Sequence, residues 1–364
     1  MNESPRRIVV AAGGTGGHVF PALAVVEQLR KMDPNVEITW YATERGRAPE
    51  LCRRHGIPVE QVRVKGIDRL LSLRTLGALG HFAGEMRRLR EGLRRLRPEA
   101  VVAFGGYVAA PAVCAALLER IPCFLCEPNT VPGRVTRFFS RWAVCTFLGF
   151  PLDRAWRLRG ATEITGVPVR PVEETYEGFP YPEGLDGSRR VILICGGSQG
   201  AQSMNRLLVG PVRHWIAQGR QVVWQTGAPG YDEIACLFGG NPSVFLFAGV
   251  DDLYPYYALA RVVVGRAGAS TLAEVAYFGL PVVAIPLPWS TDGHQWKNAG
   301  LTEIQGWGVR VKQEEKASEK IRTVVDTIYE DQCTFEAMSG KAIDASPASA
   351  AGKIAGRVLS RVES

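Results

Sequence analysis

The sequence predicts an α/β protein built from two domains, each a doubly wound parallel sheet. Three observations lead there. The chain has 364 residues, more than one ordinary core accommodates. Short apolar runs alternate with amphipathic segments, which implies parallel strands joined by helices. The pattern also opens twice in the same way. Val9-Val10-Ala11-Ala12 turns through Gly13-Gly14-Thr15-Gly16-Gly17, and Ile192-Leu193-Ile194-Cys195 turns through Gly196-Gly197-Ser198-Gln199-Gly200. Each is a strand, a glycine-rich turn and a helix start. Two such domains facing one another leave a cleft between them as a natural binding site.

In the first half, Arg7–Ala12 reads as a strand, Pro21–Met32 as a helix and Glu37–Ala42 as a strand. Leu76–Arg97 is helical, with Leu79, Phe82, Met86, Leu89, Leu93 and Leu96 at three- and four-residue spacing. Strands at Ala100–Ala103 and Cys123–Cys126 flank a helix near Ala109–Arg120. Around Thr175–Ser188 the pattern breaks into Pro, Gly and acidic residues, as an interdomain linker would. It restarts with a strand at Arg190–Cys195 and a helix at Met204–Trp215. Strands follow at Val222–Gln225, Val244–Ala248, Val262–Gly265 and Val282–Ile285. Helices are expected near Leu253–Ala260, Thr271–Phe278 and Gln295–Ile304.

Apolar residues make up 46% and charged residues 22% of the chain, so a large core is available without disulfides or a metal. The eight cysteines fit reduced thiols, and Cys123 and Cys126 read as buried strand residues. The short apolar run Ile8–Ala12 is too brief for a secretion signal. No stretch reaches the roughly 18 uninterrupted apolar residues of a spanning helix. Phe104–Leu118 comes nearest, interrupted by glycines, Tyr107 and Pro111. The net charge is +7, and the stretch Arg63–Arg97 holds ten Lys/Arg against three Asp/Glu. Such a patch points to an anionic partner. Ile67–Leu76 mixes leucines with arginines and favours a membrane interface, although the leucines could also pack on the sheet. Phe82 is the only aromatic in that basic stretch, so no stacking platform for nucleic acid is evident.

Glycine-rich turns at helix N-termini bind anions, because free N–H groups and the helix dipole point outward. The same glycines also serve tight strand–helix packing; two such turns favour phosphate binding, one ligand per domain. Neither turn matches the dinucleotide or Walker pattern. Gly196–Gly200 does match Gly-x-Ser-x-Gly, the nucleophile elbow of hydrolases, with Asp252 and His294 following in the required order. A serine hydrolase using Ser198 is therefore a rival, one that leaves Gly13–His18 unexplained. His18 sits where the first helix begins, and the dipole there disfavours imidazolium. A neutral ring could take a proton from a hydroxyl, or simply cap the helix. Arg266-Ala267-Gly268-Ala269-Ser270-Thr271 forms a third anion cradle. Glu274, read on the first turn of that helix, could accept the hydroxyls of a ribose or merely offset the dipole. Asp292–Asn298 gathers polar groups suited to sugar hydroxyls, or to a solvated cap. The sequence contains no Asp-x-Asp pair and its five histidines lack metal spacing, so no metal or cofactor is expected. A departing phosphate would then rely on helix dipoles and Arg.

These motifs resemble the MurG family of bacterial N-acetylglucosaminyltransferases, which convert lipid I to lipid II. The resembling pieces are Gly13–Pro21, Gly105-Gly106-Tyr107, Glu127-Pro128-Asn129, Thr165–Arg170, Gly196–Ala201, Arg266–Glu274 and Asp292–Ala299. They span most of the chain in family order. The resemblance implies the GT-B fold, with two Rossmann-like domains. Residues 1–168 and a returning helix at 349–364 would bind lipid I and the membrane; residues 169–348 would bind the UDP-sugar. It implies that Gly14, Thr15, Gly16 and Gly17 face the acceptor diphosphate, with Tyr107 and Asn129 nearby. His18 is the implied base and Glu127 the alternative. Thr15, Gly16, Gly17 and Asn129 are implied on the donor side too. Arg170, Ser198 and Gln199 would contact donor phosphates or sugar, and Val250 the uracil through its backbone. Ala269, Ser270 and Thr271 would present the helix end to diphosphate, Glu274 the ribose, and His294 and Gln295 the sugar hydroxyls. Some family members carry Gln at the His294 position. Implied partners are UDP-GlcNAc as substrate, undecaprenyl-linked lipid I, an anionic membrane surface and cell-wall synthesis proteins, with no nucleic acid. The implied place is the cytoplasmic face of the bacterial inner membrane, peripherally attached, in peptidoglycan synthesis and so in cell shape and division. A UDP-sugar transferase for another lipid, such as diacylglycerol, and a non-catalytic sugar-nucleotide binder are the further alternatives.

Overall fold

The computed structural model describes residues 5–14, 16–44, 46–63, 73–172, 182, 184–197, 201–250 and 252–362, with side chains throughout except at 73–82 and 362. The chain divides into two compact units. Residues up to Arg170, together with those from Ser349, form one, and Pro171–Ala348 the other. Val169 and Arg170, expected to open the second domain, belong to the first unit. Most of the expected linker Thr175–Ser188 lies outside the described residues.

The first unit runs β1 (Arg7–Ala11), α1 (Gly16–Met32), β2 (Glu37–Ala42), α2 (Ala48–Arg54), β3 (Val59–Gln61) and α3 (Leu73–Leu96). It continues with β4 (Ala100–Ala103), α4 (Gly106–Leu118), β5 (Cys123–Glu127), α5 (Arg134–Phe139), β6 (Cys145–Leu148) and β7 (Thr162–Ile164). The second unit runs β8 (Val191–Cys195), α6 (Gln202–Ala217), β9 (Gln221–Gln225), α7 (Ala228–Phe238), β10 (Val244–Phe247) and α8 (Tyr254–Leu259). After it come β11 (Ala260–Gly265), α9 (Ala269–Tyr277), β12 (Val282–Ala284), α10 (His294–Gln305), β13 (Gly308–Arg310), α11 (Ala317–Glu330) and α12 (Gln332–Asp344). Helix α13 (Ala350–Val362) returns to the first unit.

Each unit holds one wholly parallel sheet. The first has the order β3-β2-β1-β4-β5-β6-β7, the second β10-β9-β8-β11-β12-β13. The order reverses between β1 and β4, and again between β8 and β11. Alternation along β1 explains its two-sided burial. Ile8 and Val10 pack on α1 and α13, while Val9 and Ala11 pack on α3 and α4. Cys123 and Cys126 are buried free thiols of β5, as their apolar context predicts, and burial raises the pKa of both. Leu89 and Leu93 of α3 are buried, with Met86 and Leu96 packed against the same core. The side chains of Leu79 and Phe82 lie outside the described residues.

Helices α1 and α4 begin earlier than their sequence suggests. Helix α1 starts at Gly16 rather than Pro21, and α4 at Gly106 rather than near Ala109. Both carry a proline at their sixth residue, Pro21 and Pro111. Proline favours the first turn, where no N–H partner is needed, which makes Pro21 read as a start signal. Here each helix is under way before its proline, and each proline removes one rung. Among the described residues no helix is long and apolar enough to cross a membrane.

The α13 residues Ile354, Ala355 and Val358 are fully buried in the core around α1. Ile354→Ala is expected to cost about 2–5 kcal/mol, read as a lower denaturant midpoint for the first unit's unfolding transition.

Candidate active site

In the first unit the candidate residues gather at the carboxyl ends of β1, β4 and β5, neighbours in the sheet. The Gly13–Gly14 turn leads from β1 into α1, and Gly14 takes a positive φ of 87°. His18 is the third residue of α1 and is half-buried. Its imidazole lies against the turn that follows β4. A Cβ built on Gly105 would stand 3.3 Å from His18 Nε2, and one on Gly106 would stand 3.6 Å from Nδ1 and 3.3 Å from the Gly13 carbonyl oxygen. Both glycines hold positive φ, 82° and 72°. This turn is thus confined to glycine by backbone conformation and by the ring packed on it. Tyr107, the next residue, is 62% exposed, so a ligand there can reach its ring. Gly16 is buried and Gly17 exposed at the start of α1. Thr15 lies outside the described residues.

Glu127 ends β5 with 4% exposure. Its carboxylate accepts from the Asn129 backbone N–H at 3.1 Å, the Asn129 side-chain amide at 3.3 Å, the Gly133 N–H at 2.7 Å and the Thr136 hydroxyl at 2.8 Å. Burial raises its pKa, and these four bonds oppose the rise. Both oxygens are engaged inward, where they fold the loop into α5 and fix Asn129. Glu127 and Gly17 nevertheless share the wall of one small cavity with Pro21 and Pro128.

The second unit repeats the plan at the ends of β8, β11 and β12. Gly197, φ 80°, follows β8; Ser198 and Gln199 lie outside the described residues. After β11 comes Arg266, a residue to which the sequence reading gives no separate role. Its buried guanidinium donates to the carbonyls of Ile285 at 3.0 Å and Pro286 at 3.3 Å, to Gln313 Oε1 at 2.8 Å and to Ser203 Oγ at 3.1 Å. Burial lowers its pKa to about 10. It ties the loops after β11 and β12 to the start of α6. A charge directly after the apolar run Val262-Val263-Val264-Gly265 was the available signal.

Helix α9 begins at Ala269, two residues before its expected start, with no acidic residue in its first turn. Ala269, Ser270 and Thr271 therefore form that turn, and Glu274 moves to the second. This corrects its reading as a first-turn residue and removes dipole compensation as its main use. The Tyr257 hydroxyl donates to Glu274 Oε2 at 3.2 Å, a partner seventeen positions away that no local pattern indicates. Beyond β12, Asp292 and Gly293 both adopt positive φ before α10 begins at His294. Gln295 Oε1 accepts from the Leu287 N–H at 2.9 Å. Asn298, buried, donates to the Ala267 carbonyl at 3.3 Å. His294 Nδ1 lies 2.9 Å from the Thr291 carbonyl oxygen, which can only accept, so Nδ1 is the donor. A hydrolase triad would orient this ring with Asp252. Instead Asp252 Oδ1 accepts from the Tyr254 N–H at 3.0 Å, at the start of α8. Val250 follows β10, the edge strand. Arg170 belongs to the first unit, its guanidinium 5.7 Å from the Phe20 ring centroid of α1. Among the described residues no group of three or more His, Cys, Asp or Glu is placed to hold a metal ion.

Two α/β units with glycine-rich turns at both strand-order reversals match the two halves of a glycosyltransferase. The glycosyltransferase family 28 N-terminal domain matches residues 8–148, and the family 28 C-terminal domain matches residues 191–354. A relative from Listeria welshimeri, named UDP-N-acetylglucosamine–N-acetylmuramyl-(pentapeptide) pyrophosphoryl-undecaprenol N-acetylglucosamine transferase, is 31% identical over 97% of this chain and 99% of its own. A relative of the same name from Desulforudis audaxviator is 33% identical over 91% and 92%. The crystal structure of Acinetobacter baumannii MurG superposes with a TM-score of 0.75 at 26% identity, covering 98% of this chain and all of that one. The chain belongs to the MurG family of these transferases, and the serine-hydrolase alternative falls with that membership.

Gly105→Ala should lower stability by about 1–3 kcal/mol through its forbidden backbone conformation, read by urea denaturation. Gly84→Ala, in α3 with open space around it, should leave the midpoint unchanged or raise it.

Proposed function

We propose that the chain transfers N-acetylglucosamine from UDP-GlcNAc to the 4-hydroxyl of the muramyl sugar of lipid I, giving lipid II with inversion at the anomeric carbon. The observation that carries this reading is His18, placed at a strand-order reversal beside an anion-cradling turn. In a family whose members transfer a sugar from a nucleotide to a diphosphate-linked acceptor, a histidine so placed suits a base. The Gly14–Gly17 turn at the start of α1 takes the acceptor diphosphate, with Tyr107 and Asn129 beside it. His18 removes the proton from the 4-hydroxyl as that oxygen attacks the anomeric carbon, and UDP departs with the bonding electrons. Glu127 organises the loop that carries Asn129, because its oxygens are already engaged.

On this reading the first unit handles the acceptor and the second the donor. Val250 meets the uracil through its backbone and Glu274 the ribose. The N–H groups of Ala269, Ser270 and Thr271 face the departing diphosphate, and His294 and Gln295 the sugar hydroxyls. Backbone donors of this kind commonly contribute ~3 kcal/mol each to stabilising developing charge. No metal is required. The protein acts peripherally at the cytoplasmic face of the inner membrane, held by the basic stretch Arg63–Arg97, and serves wall synthesis in cell shape and division. Part of that charge is spoken for within the fold: Arg90 and Arg94 lie 2.7 and 2.8 Å from Glu119.

His18→Ala should lower kcat by about 10²–10⁴ and leave donor affinity nearly unchanged. The assay is transfer of labelled UDP-GlcNAc to a short-chain lipid I analogue, with EDTA present. Unchanged turnover would reject His18 as base. Donor binding without transfer would discard lipid I in favour of another lipid acceptor. In co-sedimentation, binding should rise with the anionic lipid content of the vesicles and fall with salt. Binding indifferent to anionic lipid would count against the membrane assignment.

A further inference from the structure

We infer that Tyr257 is a positioning residue for nucleotide recognition: its buried hydroxyl holds the Glu274 carboxylate in the orientation that reads the ribose. The inference rests on the ribose role proposed for Glu274 and goes beyond it by naming what makes that carboxylate selective.

Tyr257 lies on α8 and is 1% exposed. Its ring is fixed among aromatic neighbours, 6.3 Å from Tyr254 and 5.4 Å from Phe278 by ring centroids. Its hydroxyl sits at the base of α9, 3.2 Å from Glu274 Oε2. The thiol of Cys195, last residue of β8, shares this buried corner. Burial and the neighbouring carboxylate raise the phenol's pKa well above its ordinary value, so it stays a donor at any physiological pH. The Cys195 thiol is likewise held protonated by burial.

This corner determines how Glu274 can act. A glutamate side chain has three rotatable bonds and loses considerable rotamer freedom when a ligand fixes it. One oxygen gripped from the core side removes most of that freedom beforehand. Glu274 itself is half-buried on the second turn of α9, whose first turn presents N–H groups. A carboxylate with fixed orientation accepts two vicinal hydroxyls together, whereas a mobile one meets them one at a time. Recognition by a preorganised acceptor also discriminates against a ligand lacking a hydroxyl. Tyr257 supplies that preorganisation without touching the ligand.

The test is calorimetric binding of UDP and 2′-deoxy-UDP to the full chain. Tyr257→Phe keeps the ring and its packing and deletes only the hydroxyl. Affinity for UDP should fall roughly three- to tenfold, affinity for 2′-deoxy-UDP should barely change, and the preference between them should shrink by the same factor. In turnover, KM for UDP-GlcNAc should rise while kcat holds. Phe278→Leu disturbs the same aromatic cluster without removing the hydroxyl, so it should leave the preference intact. Equal weakening of both nucleotides in Tyr257→Phe would overturn the inference and leave a packing role. If Glu274→Ala abolishes the preference while Tyr257→Phe retains it, the role of Tyr257 falls and the ribose assignment stands. If Glu274→Ala also retains it, the ribose assignment falls and takes the inference with it.

Discussion

The glycine-rich turns of the candidate site follow from the reversal of strand order in each parallel sheet. Parallel strands require crossover connections of one hand. Where the order reverses, the connections from adjacent strands leave toward opposite faces. Helix α1 packs with α13 on one face of the first sheet, and α4 packs with α3 on the other. The loops entering them must part, and the carboxyl edge of the sheet stays open between them. In the first unit that opening lies between Gly13–Gly14 and Gly105–Gly106. In the second it lies between Gly196–Gly197 and Arg266–Gly268. Since a helix starts beside each turn, its unbonded N–H groups converge on the same space.

An open edge would be useless if its loops wandered. Three buried polar groups prevent this, each by a different chemistry. Glu127 accepts four hydrogen bonds and gathers the loop between β5 and α5. Arg266 donates four and joins the ends of β11 and β12 to α6. The Tyr257 hydroxyl anchors Glu274 from beneath α9. A buried charge left unpartnered is costly, whereas a fully bonded one imposes a single loop arrangement. The anchors therefore act through geometry more than through net stability. Glu127 and Arg266 sit at strand ends, where rigid sheet gives way to loop, and Tyr257 acts from α8.

The first unit takes its last helix from the far end of the chain. Helix α1 buries much of its length, including Val19, Leu23, Val26 and Leu29. Covering it requires a second apolar helix, and α13 supplies Ile354, Ala355, Val358 and Leu359 to the same core. Both ends of the sequence thus stabilise the unit that carries His18.

What the sequence by itself determined was the strand–helix alternation, the twin glycine-rich openings and the two-unit plan. These are encoded locally, in apolar runs such as Ile192–Cys195 and in glycines placed directly after them. The same local code misled at Pro21, because a proline reads as a helix start whether the helix begins there or five residues earlier. It also missed β6, β7 and α11, whose short or mixed patterns acquire meaning only once paired or packed. His18 and Glu274 stood out by their positions beside glycine turns. Their environments did not: the imidazole rests on Gly105–Gly106, and the carboxylate is held by Tyr257. Nor did the sequence distinguish an outward Glu127 from one folded inward by Asn129, Gly133 and Thr136. Those facts belong to the tertiary structure, because hydrogen bonds and burial depend on which distant segments meet, and a linear pattern records only the neighbours along the chain.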